Sequence, residues 1–336
     1  MNAMKKNILI ITALILFFTA NLCAEQQTAK YIEEDCEVNI IFNDAFTPGN
    51  PNFVRMRIET PKNIKGSQEF NKSAVLRLIL NDKSVEKCSF YKPIKSIPYK
   101  NKKYQATELM AATAGSPWYG KGNYSLKITF TFAENQEREI ILPLTYTPRK
   151  WNEEILYLDE VNTAIKTDNS KQRQQQIEKL NEILYTQNTE DVFSCEKYIC
   201  PTTSSRYTAW FGDRRTYKYS NGKSSTSLHY GNDYGIPEGS IVRACAKGKV
   251  VLAEWRNSTG WSIVIEHLPG LYSLYYHLSE MKVKEGDMVN QNQEIALSGK
   301  TGLATGPHLH WEMRLNGNAV MPEFFFENYS FEDIEY

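Results

Sequence analysis

Histidine is scarce in this chain: five residues among 336, at positions 229, 267, 277, 308 and 310. An excess of charge of either sign is absent as well, with 39 basic and 39 acidic side chains. A neutral chain argues against a polyanion as the main partner, and nucleic acid is not expected. No acidic or basic block is long enough to make a disordered tail. Beyond residue 24 no segment is apolar enough to span a bilayer, so no transmembrane helix is expected in the mature chain. Also missing is a lysine set between methionines at a hairpin tip. That absence counts against a biotinyl or lipoyl carrier, although turns such as Val283-Lys-Glu-Gly-Asp-Met-Val289 resemble those folds.

What is present begins with residues 1–24. Lys5 and Lys6 precede an apolar run from Ile8 to Phe18, and Leu22-Cys23-Ala24 follows as a small-residue exit. This pattern is that of a cleaved secretory signal, too short for a comfortable membrane span. Export to the periplasm or cell envelope is the expectation. Removing Lys5 and Lys6 leaves 37 basic against 39 acidic residues. Five cysteines then remain, and an exported chain permits disulfides. Cys195 could pair with Cys200 and Cys36 with Cys88, while Cys245 reads as a small buried residue. The odd count leaves at least one thiol unpaired.

Residues 25–150 alternate short strand-like runs with turn residues. Leu126, Ile128, Phe130 and Phe132 against Lys127, Thr129 and Thr131 make one such run, which fits the face of an immunoglobulin-like β-sandwich. Residues 151–192 read as a helical linker. Asp168-Asn-Ser170 supplies an N-cap, and Ile177, Leu180, Ile183 and Leu184 share one face of a helix over 171–187. That stripe predicts packing on a neighbouring domain. The Gln-rich run 172–176 reads as a solvated helix face. Residues 193–326 return to Gly-punctuated strands and read as a predominantly antiparallel β domain, with 327–336 as a C-terminal tail.

Four of the five histidines fall in the strand-and-turn motifs of this last domain. In Gly306-Pro-His-Leu-His-Trp-Glu-Met-Arg-Leu315 polar residues at 308, 310, 312 and 314 alternate with apolar ones, the period of a strand with one buried face. His308 and His310 therefore point the same way, about 7 Å apart. In Leu228-His-Tyr-Gly-Asn-Asp-Tyr-Gly235 a turn entering a strand can aim both His229 and Asp233 at one point. Zinc accepts imidazole nitrogen and carboxylate oxygen, and a catalytic site keeps one position open for water. His277, in Leu271-Tyr-Ser-Leu-Tyr-Tyr-His-Leu278, shares an alternating face with Ser273 and Tyr275 as a groove-lining residue would. His267 reads as structural or groove-lining.

The region from about 193 to 326 resembles the lysostaphin/LytM-type zinc metallopeptidases, which cut peptide links of bacterial peptidoglycan. The likeness runs through Tyr207-Thr-Ala-Trp-Phe-Gly-Asp-Arg214, His229-Tyr-Gly-Asn-Asp233, Pro237-Glu-Gly-Ser-Ile-Val-Arg-Ala244, Tyr276-His-Leu278, Val283-Lys-Glu-Gly-Asp-Met-Val289 and Gly302-Leu-Ala-Thr-Gly-Pro-His-Leu-His310. It implies zinc (Zn2+) ligation by His229, Asp233 and His310, and catalytic roles for His277 and His308. His308 is suited to act as general base, and His277 to donate to the oxyanion or protonate the leaving amine. A helix-free insertion, 217–227, lengthens the approach to His229. The alternative is a non-catalytic peptidoglycan-binding or hydrolase-activating module, which a missing ligand would favour. An envelope protein could be a partner through the N-terminal module.

Overall fold

The structure is a computed structural model of the full chain, and the description covers residues 9–10, 26–32, 36–62, 73–96, 99–101, 103–132 and 136–328. The expected signal segment 1–24 lies outside these residues except for Leu9–Ile10, and the expected tail lies outside them beyond residue 328. The chain divides into two compact units at Pro148 and Arg149.

The first unit contains β1 (Leu9–Ile10), β2 (Gln26–Ile32), β3 (Glu37–Asn43), β4 (Ala45–Phe46), β5 (Pro51–Pro61), β6 (Val75–Leu80), β7 (Lys83–Ser89), β8 (Tyr104–Ala114), β9 (Tyr124–Phe132) and β10 (Gln136–Tyr146). One sheet has the order β2-β3-β5-β8 and the other β1-β10-β9-β6-β7, with β4 on β10. The pairing of β5 with β8 in one sheet, and of β7, β6, β9 and β10 in the other, is the crossed connectivity of an immunoglobulin-like sandwich. Alternation builds its core: Leu126, Ile128 and Phe130 of β9 are buried beside Leu76 and Leu78 of β6 and Ile140 and Leu142 of β10. Each such side chain contributes roughly 1.5–3 kcal/mol through burial. Phe46 stacks on Tyr124 at 3.8 Å between ring centroids.

The second unit begins with β11 (Glu153–Tyr157), α1 (Glu160–Thr167) and α2 (Lys171–Tyr185). It continues with β12 (Tyr207–Ala209), β13 (Arg214–Lys218), β14 (Ser224–Leu228), β15 (Gly231–Tyr234), β16 (Ile241–Arg243), β17 (Gly248–Arg256), β18 (Gly260–Leu268), β19 (Leu271–Met281), β20 (Met288–Val289), β21 (Glu294–Ser298), β22 (Leu309–Leu315) and β23 (Asn318–Val320). The main sheet follows the order β12-β15-β22-β19-β18-β17-β20, and neighbouring strands along it run antiparallel.

The segment read as a helical linker is built into this unit. Strand β11 pairs in parallel with β13, which forms a hairpin with β14 from the expected insertion. Helix α2 is capped by the Ser170 hydroxyl, which accepts from the Arg173 amide at 3.2 Å. Its stripe packs Leu180 and Leu184 against Leu252, Val264, Tyr272, Leu274 and Tyr276 of the sheet, whereas Ile177 stays exposed. Of the Gln-rich run, Gln172, Gln174 and Gln175 are exposed. The Gln176 amide instead donates to the Trp255 carbonyl at 3.3 Å, and its oxygen accepts from the Asn257 amide at 2.9 Å. The helix is thereby pinned to the β17–β18 hairpin.

Neither disulfide that the spacing allows is formed here, since Cys88 and Cys200 are free thiols. The Cys88 thiol is buried and lies 3.1 Å from the Ala112 carbonyl that accepts from it.

Candidate metal centre

The alternation on β22 has a direct consequence. Leu309, Trp311, Met313 and Leu315 are buried on one face, and His310, Glu312 and Arg314 share the other. Strand β15 lies alongside with Asp233 directly opposite His310. That approach requires glycine at 231, where a Cβ would sit 2.2 Å from the Trp311 carbonyl oxygen. His229 arrives from the short β14–β15 connection. It is held there as its backbone amide donates to the Asp213 carbonyl at 2.9 Å and its Nδ1–H to the Trp210 carbonyl at 2.8 Å.

Three donor atoms converge as a result. His229 Nε2 lies 3.1 Å from Asp233 Oδ1 and 3.0 Å from His310 Nδ1, and His310 Nδ1 lies 2.6 Å from the same carboxylate oxygen. All three residues are buried. A carbonyl can only accept, so the proton on His229 sits on Nδ1 and the lone pair on Nε2 faces inward. His310 Nε2 lies 2.9 Å from Glu312 Oε1, which turns its Nδ1 lone pair inward in the same way. Two imidazole lone pairs and a carboxylate oxygen within 4.8 Å of one another repel unless a proton or a cation lies between them. The donor set, two nitrogens and one oxygen, fits a divalent metal of the zinc type.

The surrounding charges hold these groups in place. Asp233 Oδ2 accepts from Arg215 at 3.0 Å, and Glu154 Oε2 accepts from the other side of that guanidinium at 3.0 Å. Arg314 Nε donates to Glu312 Oε2 at 2.6 Å, and Tyr276 stacks on the His310 ring at 5.5 Å and 5°. Burial would raise the Glu312 carboxyl, but Arg314 and His310 bring it down to about 2. Burial would lower the His310 imidazole, yet Asp233 and then Glu312 lift it to about 9. His229 moves down because burial outweighs Asp233. Asp233 is held well below the usual carboxylate range because the two histidines overcome its burial. Without a metal the proton therefore resides on His310, and an entering cation takes its place.

His308 and His277 flank this cluster. His308 precedes β22, bridges to Gly299, and directs Nδ1–H to the Gly306 carbonyl at 2.8 Å. Its Nε2 keeps a lone pair and lies 3.7 Å from Asp233 Oδ1. The His277 ring is 4.7 Å from that of His308 and 6.0 Å from that of His310. Its Nδ1–H donates to the Thr301 carbonyl at 2.7 Å, so its Nε2 accepts a proton and can donate one only once the ring is protonated. Burial and the neighbouring His308 and His310 push it down to about 3.

The expected company of His277 needs correction. Ser273 and Tyr275 do not share its surroundings: they face the opposite side of the sheet, where the Ser273 hydroxyl meets His267 Nε2 at 2.7 Å and the Cys245 amide donates to the Tyr275 hydroxyl at 2.9 Å. Tyr276, paired with His310, occupies the groove face. His277 joins it because its backbone adopts φ = +60°, which breaks the alternation within β19 and turns two successive side chains to one side. A left-handed non-glycine residue costs on the order of 1–3 kcal/mol and is retained where the surroundings impose it. The His277 amide held by the Thr259 carbonyl at 2.9 Å is part of that imposition.

The five residues expected at the site, His229, Asp233, His277, His308 and His310, line one groove of about 430 Å3, whereas His267 is buried on the other face of the sheet. The sequence reading missed Arg215, Glu154 and the Trp210 and Thr301 carbonyls. Glu312 and Arg314 are visible in the period-two pattern. Arg215 carries no local signal, because it reaches Asp233 through the β13–β14 hairpin.

Residues 227–322 match the model of peptidase family M23. A stretch of 95 residues is 42% identical to the DD-carboxypeptidase/endopeptidase Mpg of Neisseria meningitidis, covering 28% of this chain and 22% of that one. Over 92 residues the chain is 40% identical to the peptidoglycan DD-endopeptidase ShyA of Vibrio cholerae, covering 27% and 21%. Over 90 residues it is 42% identical to the glycyl-glycine endopeptidase ALE-1 of Staphylococcus capitis, covering 26% and 25%. The match thus spans about a quarter or less of these curated relatives. A crystal structure of a proposed peptidase M23 from Pseudomonas aeruginosa shares the fold, with a TM-score of 0.53 and 18% identity over 85% of this chain and 96% of that one. The second unit carries a domain of peptidase family M23.

Proposed function

We propose that this chain is a zinc endopeptidase that hydrolyses peptide cross-links of bacterial peptidoglycan in the cell envelope, after export directed by residues 1–24. The observation that carries the reading is the convergence of His229 Nε2, Asp233 Oδ1 and His310 Nδ1 with their outer nitrogens and oxygens already engaged. These three residues would hold the metal. When bound, zinc supplies a Lewis acid that polarises the scissile carbonyl and makes water acidic near neutral pH. The names of the relatives support peptidoglycan as the substrate.

The chain's own residues supply the proton transfers. His308 accepts the proton of the attacking water at Nε2, which the Gly306 carbonyl keeps free by fixing the tautomer. As the peptide C–N bond breaks, that proton passes to the leaving amine. His277 is the second station of that same proton: neutral at rest because burial pushes it down to about 3, it takes the proton from His308 at Nε2 only transiently and hands it on to the amine. This assigns His277 to proton delivery, in preference to donating to the oxyanion in its resting form. Arg215 and Glu312 are positioning residues for Asp233 and His310.

The test is digestion of purified peptidoglycan by the mature chain, with mass spectrometry of the released fragments. New amine ends are expected, and they should vanish on chelation and return with zinc. His308→Ala should keep its metal yet lose about 10²–10⁴-fold in turnover. Uncut cross-links with one equivalent of bound zinc would instead favour a binding role.

A further inference from the structure

One wall of the groove comes from β11, α1, the start of α2 and β13, outside the residues matched by the family model. It carries three cations. Arg215 is matched by Asp233 and Glu154. Arg173 is anchored by the Lys166 and Asp168 carbonyls, and among the described residues its Nε has no hydrogen-bond partner. Lys166 is different. Its ammonium lies 4.0 Å from the centroid of the Tyr217 ring, and among the described residues no carboxylate forms an ion pair with it. The side chain is half-buried and lines the same groove as the metal centre. Burial, with Arg173 and Arg215 adding repulsion, lowers it to about 8. A half-buried cation beside two others, without a counter-charge of its own, gains strongly from an anion that enters with the ligand.

We propose that Lys166 binds a carboxylate of the substrate peptide in the groove beside the metal centre, making the β11–α1 wall a specificity element. This rests on the reading of the site as a peptidoglycan peptidase. The carboxylate could be the C-terminal one or that of a side chain, and the two present the same chemistry. The Tyr217 ring beneath the ammonium fixes its position without neutralising it.

The experiment is calorimetric titration of the zinc-loaded mature chain, and of its Lys166→Met and Lys166→Arg variants. The probes are the tetrapeptide L-Ala-γ-D-Glu-meso-diaminopimelyl-D-Ala and forms amidated singly at each carboxylate. The wild type should bind the parent about 10–100-fold more tightly than one amidated form, and that form identifies the carboxylate. Lys166→Met should bind all forms alike, with metal content and melting temperature unchanged, and Lys166→Arg should restore part of the preference. A wild type that binds no form, or shows no preference, overturns the proposal. So does a Lys166→Met variant that keeps the preference or weakens every form equally. Digestion of whole peptidoglycan separates the two readings. Cutting without carboxylate preference removes the Lys166 role alone, whereas preference without cutting removes the peptidase reading and leaves the carboxylate site.

Discussion

The two faces of the main sheet hold buried imidazoles in opposite chemical states. On one face His310 lies between Asp233 at 2.6 Å and Glu312 at 2.9 Å, and these carboxylates lift it to about 9 against its burial. On the other face His267 is fully buried among neutral partners: the Lys247 carbonyl at 2.8 Å, the Ser273 hydroxyl at 2.7 Å and the Cys245 sulfur at 3.6 Å. Burial pushes it down to about 4. Both side chains are hydrogen-bonded at both nitrogens, so the difference does not lie in satisfaction. It lies in charge. A buried imidazole becomes a place for a cation when carboxylates face it, and a neutral packing element when they do not.

The comparison can be broken at several points. The largest effect is expected from Asp233→Ala, which removes the oxygen that both His229 and His310 approach. Metal content measured on the purified protein should drop to background and peptidoglycan turnover should fall by at least ~10³-fold. Retained stoichiometric metal would mean that the three atoms are not the ligand set.

The His267 face should announce itself in stability. Its pKa is lower folded than unfolded, so the unfolded chain binds the extra proton between about pH 6.5 and 4. Stability is therefore lost as pH falls through that window, by about 3 kcal/mol at full expression. Thermal unfolding followed from pH 7 to 4 should show a shallower slope in His267→Gln than in the wild type. Equal slopes would assign the acid lability elsewhere.

Glu312→Gln makes the His310 environment more like that of His267. The metal should bind about 10–100-fold more weakly while the protein stays folded. An unchanged affinity would reduce Glu312 to a partner of Arg314.

The smallest effect is the dependence of metal uptake on pH. His310 is protonated below about 9 in the metal-free protein, and the entering ion must displace that proton. Affinity should rise about tenfold per pH unit up to that point and flatten above it, and calorimetry in buffers of different ionisation enthalpy should detect release of about one proton at pH 7. A flat profile would place the proton elsewhere.

Much of the site was legible in the sequence because it is encoded by strand periodicity. The alternation from His308 to Leu315 puts His310, Glu312 and Arg314 on one face, and the structure has them there. His277 broke the same rule. Its alternation with Ser273 and Tyr275 is regular in the sequence, but a backbone at φ = +60° turns the ring to the other face, and nothing in the residue type announces that. The segment 151–192 misled in another way. Its helix stripe was visible, but an exposed-looking strand such as Glu153–Tyr157 acquires its place by pairing with β13, a partner 61 residues on.

By itself the sequence determined the mainly β character and the clustering of rare histidines in strand-and-turn motifs. These follow from local periodicity and turn chemistry, which each segment carries within itself. The tertiary structure alone decided which nitrogens face inward, which arginines hold the carboxylates, and that β11 and α1 wall the groove with an unmatched lysine. Those features depend on atoms brought within about 3 Å across long stretches of chain, and no local pattern records the approach.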